Sequence, residues 1–342
     1  MLRELSYFSY MKVVIPVAGM GSRLRPHTHT QPKPLIPVAG KPILSHIIDN
    51  LIEAGLEEFI FVVGYLKEKI QDYVETHYQD KIKLSFVTQE PRKGLAHAIW
   101  SAAPLLQEEE EILIILGDTI FYSETITEVM KRDGGMLAVQ VVDNPREFGI
   151  AVLDESSLVK GLKEKPQIPT SNLALVGLYK IPQVPKLLLS LDEMMEEEIG
   201  DHEEYNLTDA LMLMIEKDVP FRSISVENWF DCGRKQTLLE TNRILLERME
   251  TFPDYQFHNS VIIHPIHIAE GCKIENSIIG PYVAVAENTH ICNSVIENSI
   301  LGAYSDLNAI ILHSSVIGND TSLKGKSNSI SIGDNAEIDF NQ

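Results

Sequence analysis

The chain has 342 residues, about twice the usual length of one domain, so we expect two domains. Hydrophobic residues make up 44% of it and charged residues 23%, which excludes the disordered and fibrous classes. Its net charge of −20 would repel a nucleic-acid backbone or an anionic membrane, so we expect neither as a partner.

The sequence also predicts a reduced, cytoplasmic location. Its longest apolar runs are too short to span a bilayer. The N-terminus carries Arg3 but no apolar core or cleavage site of a secretory signal, and Met11 is an alternative start. Cys232, Cys272 and Cys292 are odd in number and form no Cys-x-x-Cys pair, so we expect neither a disulfide framework nor a cysteine zinc site.

Up to about residue 250, short apolar runs alternate with segments of helical periodicity. Four runs are typical of buried strands: Lys12 to Ala18, Phe59 to Val63, Ile82 to Val87 and Ile112 to Leu116. Helical stripes lie between them, from Ile43 to Ile52 before a capping Gly55, and through Leu66, Ile70 and Val74. This alternation predicts an α/β fold with a Rossmann-like, mixed but mostly parallel sheet.

After Gly135 the pattern predicts strands that add to the sheet in antiparallel orientation. They are expected at Met136 to Val142, Ile150 to Leu153 and Leu173 to Tyr179. Helices are predicted again at Asn206 to Glu216 and Lys235 to Met249. The acidic patches Glu108 to Glu111 and Glu196 to Glu204 show no apolar periodicity, and we interpret them as solvated surface.

A linker from Thr251 to Phe257 separates residues 1–250 from a repetitive region, 259–342. There the pair Asn-Ser recurs at Asn259, Asn276 and Asn293, 17 residues apart, and a further copy begins at Asn298. Such a period without helix formers predicts a parallel β-solenoid rather than a hairpin sandwich, whose turns recur every 8 to 12 residues. Because a stack of coils has an apolar end to cover, we expect it to pack on the first domain or on another subunit of a homo-oligomer.

The opening of the chain lacks acidic residues. From Leu5 to Ile48 there is no Asp or Glu, where the chain average predicts about six. Five basic residues lie in it: Lys12, Arg23, Arg25, Lys33 and Lys41. A Gly-rich turn from Ala18 to Arg23 follows the first strand, and such turns let backbone N–H groups approach a phosphate. A dinucleotide fingerprint and a P-loop are both incomplete here, so a basic surface loop remains the alternative.

The run Gly19-Met-Gly-Ser-Arg-Leu-Arg-Pro-His-Thr-His-Thr-Gln-Pro-Lys-Pro-Leu-Ile-Pro-Val38 closely resembles the signature of sugar-1-phosphate nucleotidyltransferases. Later segments agree in order: Gln89 to Ala98, Leu116 to Asp118, Glu164 to Pro166, Asn172 to Tyr179 and Trp229 to Gly233. The resemblance covers residues 11 to about 248. It implies a nucleotidyltransferase domain over residues 1–250, and the region 259–342 resembles the hexapeptide-repeat-like, left-handed β-helix that several members carry.

The resemblance implies a reaction that joins a nucleoside triphosphate to a hexose 1-phosphate, with Mg²⁺ as cofactor and pyrophosphate as second product. The motifs most resemble those of long-type thymidylyltransferases, which use dTTP and glucose 1-phosphate, while UTP and GTP remain alternatives. The implied catalytic charge partners are Arg23 and Lys33, and the implied nucleotide contacts are Ala18, Gly19, Gly21, Gln89 and Gly94. The implied sugar-phosphate contacts are Gly149, Glu164, Lys165 and Asn172, and the implied Mg²⁺ ligands are Asp118 and Asp231.

The sequence departs from the family motif at one place, and it leaves two alternative functions open. Asn206-Leu207 precedes Thr208-Asp209 where relatives often carry an acidic residue, which leaves the sugar more open than the reaction. The first alternative is a non-catalytic regulatory or scaffolding relative. The second is a bifunctional enzyme whose solenoid transfers an acyl group with a histidine base. The histidines from the linker onward are His258, His264, His267, His290 and His313, and we interpret them as wall residues because about 80 residues of repeat are few for such a domain.

Overall fold

The computed structural model describes residues 11–196, 204–227, 229–325 and 330–339. Its contacts divide the chain into two units. The first unit contains residues 47–229 together with the segment that ends at Gly19, and the second contains residues 20–46 together with the chain from Phe230 onward. Most of the acid-free stretch, residues 20–46, therefore folds with the C-terminal part of the chain, and we call it the signature segment. The domain boundary near residue 250 stays a prediction.

The strands before the linker are, in chain order, β1 (Lys12–Pro16), β2 (Pro37–Val38), β3 (Lys41–Pro42), β4 (Glu58–Val63), β5 (Lys83–Thr88), β6 (Glu111–Ile115), β7 (Thr119–Ile120), β8 (Gly135–Val141), β9 (Gly149–Leu153), β10 (Val159–Glu164), β11 (Leu173–Pro182), β12 (Phe221–Ser225) and β13 (Phe230–Asp231). The helices are α1 (Ile43–Glu53), α2 (Lys67–Tyr78), α3 (Leu95–Ser101), α4 (Ser123–Lys131), α5 (Val184–Glu196), α6 (Leu207–Glu216) and α7 (Lys235–Glu247).

A nine-stranded mixed sheet forms the centre of the first unit. Its order is β10-β9-β11-β6-β1-β4-β5, with β8 paired to β11 and β12 paired to β8. The central strands β6, β1, β4 and β5 are parallel, so that Val14 lies opposite both Ile60 and Ile114. Strand β11 runs antiparallel to β6, β8 and β9. The predicted mixed sheet with antiparallel additions is confirmed.

Apolar side chains from three helices complete the core on one face of this sheet. Ile99 of α3, Leu187 of α5 and Leu211 of α6 are fully buried and pack in one cluster with Val14 and Ile60. Each fully buried aliphatic side chain of this kind stabilises the fold by about 1.5–3 kcal/mol. Helices α4 and α5 have no counterpart among the sequence predictions. Among the described residues, no helix is both long and apolar enough to cross a bilayer.

The strands after the linker are β14 (Val261–Ile262), β15 (Ile266–Ile268), β16 (Lys273–Glu275), β17 (Ile278–Ile279), β18 (Val283–Val285), β19 (His290–Cys292), β20 (Val295–Glu297), β21 (Ile300–Leu301), β22 (Asp306–Asn308), β23 (Ile311–His313), β24 (Val316–Ile317), β25 (Ser322–Lys324), β26 (Ser331–Ile332) and β27 (Glu337–Asp339). They form three parallel sheets, β14-β17-β20-β23, β15-β18-β21-β24-β26 and β16-β19-β22-β25-β27. This is the predicted left-handed parallel β-helix.

The Asn-Ser repeat marks one corner of each coil. Asn259, Asn276 and Asn293 adopt φ values of +47°, +50° and +50°, a left-handed conformation that asparagine tolerates better than most residues. The amide of Asn259 donates to the side-chain oxygen of the next asparagine at 2.9 Å. The hydroxyl of Ser260 accepts the backbone N–H of Ser277 at 3.1 Å. The repeat therefore supplies both the bend and the hydrogen bonds between coils.

Two details differ from the simple repeat. Asn298 lies at another corner, where its amide donates to the hydroxyl of Ser314 at 3.0 Å, so it begins a second series rather than a fourth copy of the first. The linker also belongs to the solenoid, since Phe257 packs against the solenoid core and the backbone N–H of Ile268 donates to the Tyr255 hydroxyl at 3.1 Å. The linker therefore covers apolar surface of the first coils.

Candidate active site

The predicted site residues divide between the two units. The first unit contains Ala18, Gly19, Gln89, Gly94, Asp118, Gly149, Glu164, Lys165 and Asn172, and the second contains Gly21, Arg23, Lys33 and Asp231. The acidic stretch predicted as solvated surface begins where α5 ends at Glu196, and residues 197–203 lie outside the described part of the chain.

The turn after β1 is narrow at its start and open at its end. Ala18 is buried, and its carbonyl accepts the N–H of Tyr65 at 3.1 Å. A Cβ added at Gly64 would lie 2.9 Å from the Cβ of Ala18. Gly19 is exposed, and a Cβ added there would meet nothing within 4 Å. The backbone at the carboxyl end of β1 can therefore be approached by a large ligand, as expected at such a strand end.

Asp118 lies at the same edge of the sheet, just after β6. A Cβ at Gly117 would lie 2.9 Å from the carbonyl oxygen of Pro16, so only glycine allows the chain to pass this close to the end of β1. Asp118 is half-buried, and its Oδ1 accepts the hydroxyl of Thr119 at 3.2 Å. The neighbouring strand β11 has a bulge between Leu175 and Tyr179, which changes the direction of its side chains beside this turn.

Gln89 lies at the end of β5 and is only 5% exposed. Its Nε2 donates to the carbonyl oxygen of Gly94 at 2.8 Å and lies 3.2 Å from Nδ1 of His97. Burial, together with the nearby Lys93 charge, lowers the pKa of His97, so its neutral ring accepts this hydrogen bond at neutral pH. With its amide nitrogen held in this way, Gln89 presents Oε1 as the atom that recognises a donor.

The loop before α3 is held by backbone hydrogen bonds to Tyr205. The carbonyl of Lys93 accepts the N–H of Tyr205 at 2.7 Å, and the N–H of Ala96 donates to the carbonyl of Tyr205 at 2.9 Å. Gly94 has φ of +97°, and a Cβ there would lie 2.5 Å from the Tyr205 carbonyl oxygen. Glycine is therefore required at position 94 both for its backbone conformation and for this close approach.

A polar pocket forms where β9 and β10 lie beside α6. Glu164 pairs with Gly149 across the two strands. Oε2 of Glu164 accepts the hydroxyl of Thr208 at 2.7 Å, and Oε1 lies 3.3 Å from Nζ of Lys165. A Cβ at Gly149 would lie 2.9 Å from both Glu164 Oε2 and Thr208 Oγ1. Asn172 is exposed at the start of β11, where its carbonyl accepts the N–H of Val142 at 3.0 Å.

Tyr179 connects this pocket with the turn at Asp118. It is buried on β11, and burial is the main reason that its pKa is raised. The negative charges of Glu164 and Asp118 raise that pKa further. Strand β11 also lies between β6, which leads to Asp118, and β9, whose partner strand β10 ends at Glu164. The structure thus brings the predicted sugar carboxylate and the predicted metal carboxylate to the same region of the first unit.

In the second unit, the signature segment folds tightly around Gly21. Gly21 has φ of +61°, and a Cβ there would lie 2.8 Å from Cβ of Lys33. The hydroxyl of Thr28 donates to the Gly21 carbonyl at 2.9 Å. Lys33 is only 8% exposed because its stem packs over this glycine, whereas Arg23 is exposed. Glycine at position 21 therefore allows the turn to place both basic residues in one short loop.

Asp231 lies on β13, just before α7. Its Oδ1 accepts the backbone N–H of Gly233 at 2.8 Å, and its carbonyl oxygen accepts the hydroxyl of Thr241 at 3.4 Å. These contacts fix both the side chain and the backbone of the aspartate.

The donor set of the two aspartates suits magnesium. Mg²⁺ prefers hard oxygen ligands and commonly takes one or two carboxylates, with phosphate oxygens and waters completing the octahedron. Over the residues that the structure describes, no three His, Cys, Asp or Glu side chains gather into a cage for a metal. The carboxylates of Asp118 and of Asp231 are each ligands of this hard-oxygen type.

Two residues that contact predicted site residues carry no role in the sequence motifs. Thr208 belongs to a Thr-Asp pair, and His97 lies inside the run from Gln89 to Ala98. The sequence features that could have pointed to them are the position of Thr208 at the start of a helix and the position of His97 eight residues after Gln89. Of the histidines on the solenoid, four are exposed as interpreted: His258, His264, His290 and His313.

Comparison with known proteins identifies the chain as a nucleotide-transferring enzyme. The chain belongs to the nucleotidyl transferase family, whose sequence model matches residues 12–248. Within that family it is of the sugar-1-phosphate nucleotidyltransferase type, as its relatives indicate.

Two curated proteins and one solved structure illustrate the similarity. The bifunctional protein GlmU of Methanocaldococcus jannaschii is 34% identical over 306 residues, which cover 83% of this chain and 71% of that protein. A glucose-1-phosphate thymidylyltransferase of Streptomyces griseus is 31% identical over 315 residues, or 85% of this chain and 87% of that protein. A UDP-glucose pyrophosphorylase complexed with UDP-glucose superposes with a TM-score of 0.60 and 26% identity, over 70% of this chain and 99% of the other.

Proposed function

We propose that the protein joins dTTP to glucose 1-phosphate in the presence of Mg²⁺, giving dTDP-glucose and pyrophosphate. A phosphate oxygen of glucose 1-phosphate attacks the α-phosphorus, and the bond from that phosphorus to the oxygen bridging to the β-phosphorus breaks. The electron pair leaves with pyrophosphate. Because both reactants are polyanions, the reaction needs alignment and charge neutralisation rather than a covalent nucleophile of the protein.

One observation supports this proposal above the others: strand β11 lies between β6, which leads into Asp118, and β9, whose partner strand β10 ends at Glu164. A carboxylate suited to sugar hydroxyls and a carboxylate suited to a phosphate-bound cation therefore occupy the same edge of the sheet. Ligands of open α/β sheets bind at this edge, beyond the carboxyl ends of the parallel strands. A sugar 1-phosphate carries both groups in one molecule, so its two ends match these two residues.

Basic residues would supply the positive charge that the two polyanionic substrates need. Arg23 is exposed and can grip the phosphates that leave, while Lys33 offers a compact charge to the transferred phosphoryl group. Asp118 and Asp231 would hold Mg²⁺, which when bound supplies charge neutralisation at the phosphate oxygens. Lys165, whose side chain is 59% exposed beside Glu164, is available to the phosphate of the incoming sugar.

The preference for a pyrimidine base is supported by Gln89. Since Nε2 of Gln89 is held by the carbonyl oxygen of Gly94, Oε1 is left to accept the N3–H of a pyrimidine such as thymine or uracil. The similarity to the thymidylyltransferase of Streptomyces griseus favours dTTP, and UTP and GTP are the alternatives. Glu164 would accept hydrogen bonds from hexose hydroxyls, and the amide of Asn172 would donate to or accept from them.

A pyrophosphate-release assay tests the proposal. The full chain is incubated with Mg²⁺ and every combination of dTTP, UTP, GTP and ATP with several hexose 1-phosphates, and a parallel series contains EDTA. We expect the fastest release with dTTP and glucose 1-phosphate and none with EDTA. Faster release with UTP or GTP would show that this nucleotide, and not dTTP, is the substrate. No release in any combination would contradict the proposal and favour a non-catalytic relative.

A further inference from the structure

The end of the solenoid contacts the signature segment directly. Nε2 of His27 and the hydroxyl of Ser331 share a hydrogen bond of 3.0 Å, and the hydroxyl of Thr30 donates to Oδ2 of Asp334. Oδ1 of Asp334 accepts the backbone N–H of Asn319 at 2.7 Å, so this carboxylate bridges the loop and the coil beneath it. We call Ser331, Gly333 and Asp334 the C-terminal clamp.

Close packing accompanies these hydrogen bonds. A Cβ at Gly333 would lie 3.1 Å from Cβ of Pro26, so a side chain at this point would require the proline to shift by a few tenths of an ångström. His27 is buried, and burial lowers its pKa although the charge of Asp334 acts in the opposite direction. The imidazole is therefore neutral at neutral pH and forms a hydrogen bond with Ser331 rather than an ion pair.

The clamped residues adjoin the residues that would bind phosphate. Thr28 stands between His27 and the clamped Thr30, and its hydroxyl holds the Gly21 carbonyl at 2.9 Å. Gly21 in turn packs against Lys33. A continuous series of contacts thus runs from the last coils of the solenoid to the turn that carries the basic residues.

The other end of the signature segment is anchored as well. Asn242 of α7 is fully buried; its Oδ1 accepts the N–H of Ala39 at 2.9 Å and its Nδ2 donates to the carbonyl of Tyr282 at 3.2 Å. A Cβ at Gly40 would lie 2.5 Å from the ring of His267 in β15. The segment is therefore attached both to an early coil and to the final coils of the β-helix.

We infer that the β-helix positions the triphosphate-binding loop: Ser331 and Asp334 act as positioning residues that hold His27 and Thr30, and through them the turn at Gly21. This inference rests on the proposed function, in which that turn binds the triphosphate. Ordering a free loop costs backbone entropy for each residue that becomes fixed. A loop already ordered by the solenoid avoids that cost at each binding event, so releasing the clamp weakens the apparent affinity for the nucleotide.

A double-mutant cycle tests the coupling of loop and coil. Thr30→Val removes the donating hydroxyl with little change in shape, Asp334→Ala removes its acceptor, and the double variant closes the cycle. Ser331→Ala is a second, milder change in the clamp. The matched control is Asp306→Ala, since this aspartate pairs with a histidine of the solenoid itself, His290, at 3.1 Å. All are full-length chains.

We expect the KM for the nucleoside triphosphate to rise about five- to tenfold in Thr30→Val and Asp334→Ala, the scale of one ordinary lost hydrogen bond, because the bond acts on the loop and not on the nucleotide itself. The KM for the sugar 1-phosphate and kcat at saturating nucleotide stay within about twofold, and the double variant is no worse than the worse single variant. Hydrogen exchange accelerates in peptides covering residues 20–35. The Asp306→Ala control matches the wild type in all four measurements.

Several outcomes would overturn the inference. They are an unchanged nucleotide KM with unchanged hydrogen exchange, additive effects in the double variant, or equal rises of KM for both substrates. If the wild type releases no pyrophosphate with any substrate pair, the proposed function fails. Hydrogen exchange of the loop then still decides whether the clamp orders it, so the two failures are distinguishable.

Discussion

Substituting Gly149 by alanine isolates the geometry of the polar pocket. The added methyl carbon would lie 2.9 Å from Oε2 of Glu164 and from Oγ1 of Thr208, and 3.2 Å from Cδ1 of Leu175. Contacts under 3.0 Å are closer than carbon and oxygen tolerate, so the carboxylate or the hydroxyl must move. Either movement breaks the 2.7 Å hydrogen bond from Thr208 to Glu164 and displaces the oxygen that would accept a sugar hydroxyl.

The size of the effect follows from that hydrogen bond. A hydrogen bond to a charged group contributes about 1.5–3 kcal/mol, and 1.4 kcal/mol corresponds to a factor of ten. We therefore expect kcat/KM for glucose 1-phosphate to fall about 10- to 100-fold in Gly149→Ala. The KM for the nucleotide stays nearly unchanged, since Gln89 and Gly94 form a separate set of contacts. Overpacking should also lower the free energy of unfolding by about 1–3 kcal/mol.

Gly161→Ala is the matched control, because Gly161 lies on the neighbouring strand β10 and a Cβ there would meet only Cβ of Val152, at 3.9 Å. Steady-state pyrophosphate release with each substrate varied in turn gives both KM values, and urea denaturation gives the free energy of unfolding. The reasoning is refuted if Gly149→Ala and Gly161→Ala have the same kcat/KM for the sugar phosphate. Equal loss for both substrates in Gly149→Ala would equally contradict a local effect on the sugar.

Three further predictions concern charge. Arg23→Ala should lower kcat/KM at least about 100-fold with an unchanged melting temperature because Arg23 is exposed, whereas Lys33→Met should lose similar activity but also stability because Lys33 is buried. In activity titrations, Asp118→Asn or Asp231→Asn should raise the Mg²⁺ concentration for half-maximal activity about tenfold or abolish activity. Burial lowers the pKa of His97 below 6.5, so the free energy of unfolding should fall as the pH drops below about 6.5. Urea denaturation above and below that pH should show a less steep fall in His97→Gln.

Each of these predictions has a control of the same chemistry. Arg25→Ala removes an exposed arginine from the same segment and should retain activity if the effect belongs to Arg23 alone. Asp72→Asn changes an exposed aspartate of α2, so a shifted Mg²⁺ requirement in this variant would discredit the metal assignment. His77→Gln alters an exposed histidine, and a pH dependence as shallow as that of His97→Gln would show that burial is not the cause.

The fold could be predicted from the sequence where local pattern and burial agree. The run from Lys12 to Ala18 predicts β1, observed as Lys12–Pro16, because an unbroken apolar run suits a strand covered on both faces. The 17-residue spacing from Asn259 to Asn276 predicts the register of the coils, and Val261 does lie opposite Ile278. Between Val295 and Ile311 the step shortens to 16 residues, which a search for a fixed period does not find.

The candidate site was predictable only as a set of residue types. Recognised motifs contain Gln89 and Glu164, but their partners His97 and Thr208 are brought to them by the fold. A bond such as that from Thr30 to Asp334, 304 residues apart, has no local signal in the sequence. The placement of the signature segment with the solenoid could therefore not be expected from motifs that run in chain order.

The departure at Asn206 can now be explained structurally. Asn206 precedes α6, and its amide donates to Oδ2 of Asp209 at 3.1 Å, which holds the first turn of the helix. An acidic residue at position 206 would place a second negative charge against Asp209, so the amide suits this helix start better. The same turn carries Thr208, whose hydroxyl orients Glu164. The departure at Asn206 therefore acts on the polar pocket around Glu164, because it fixes the helix that supplies Thr208.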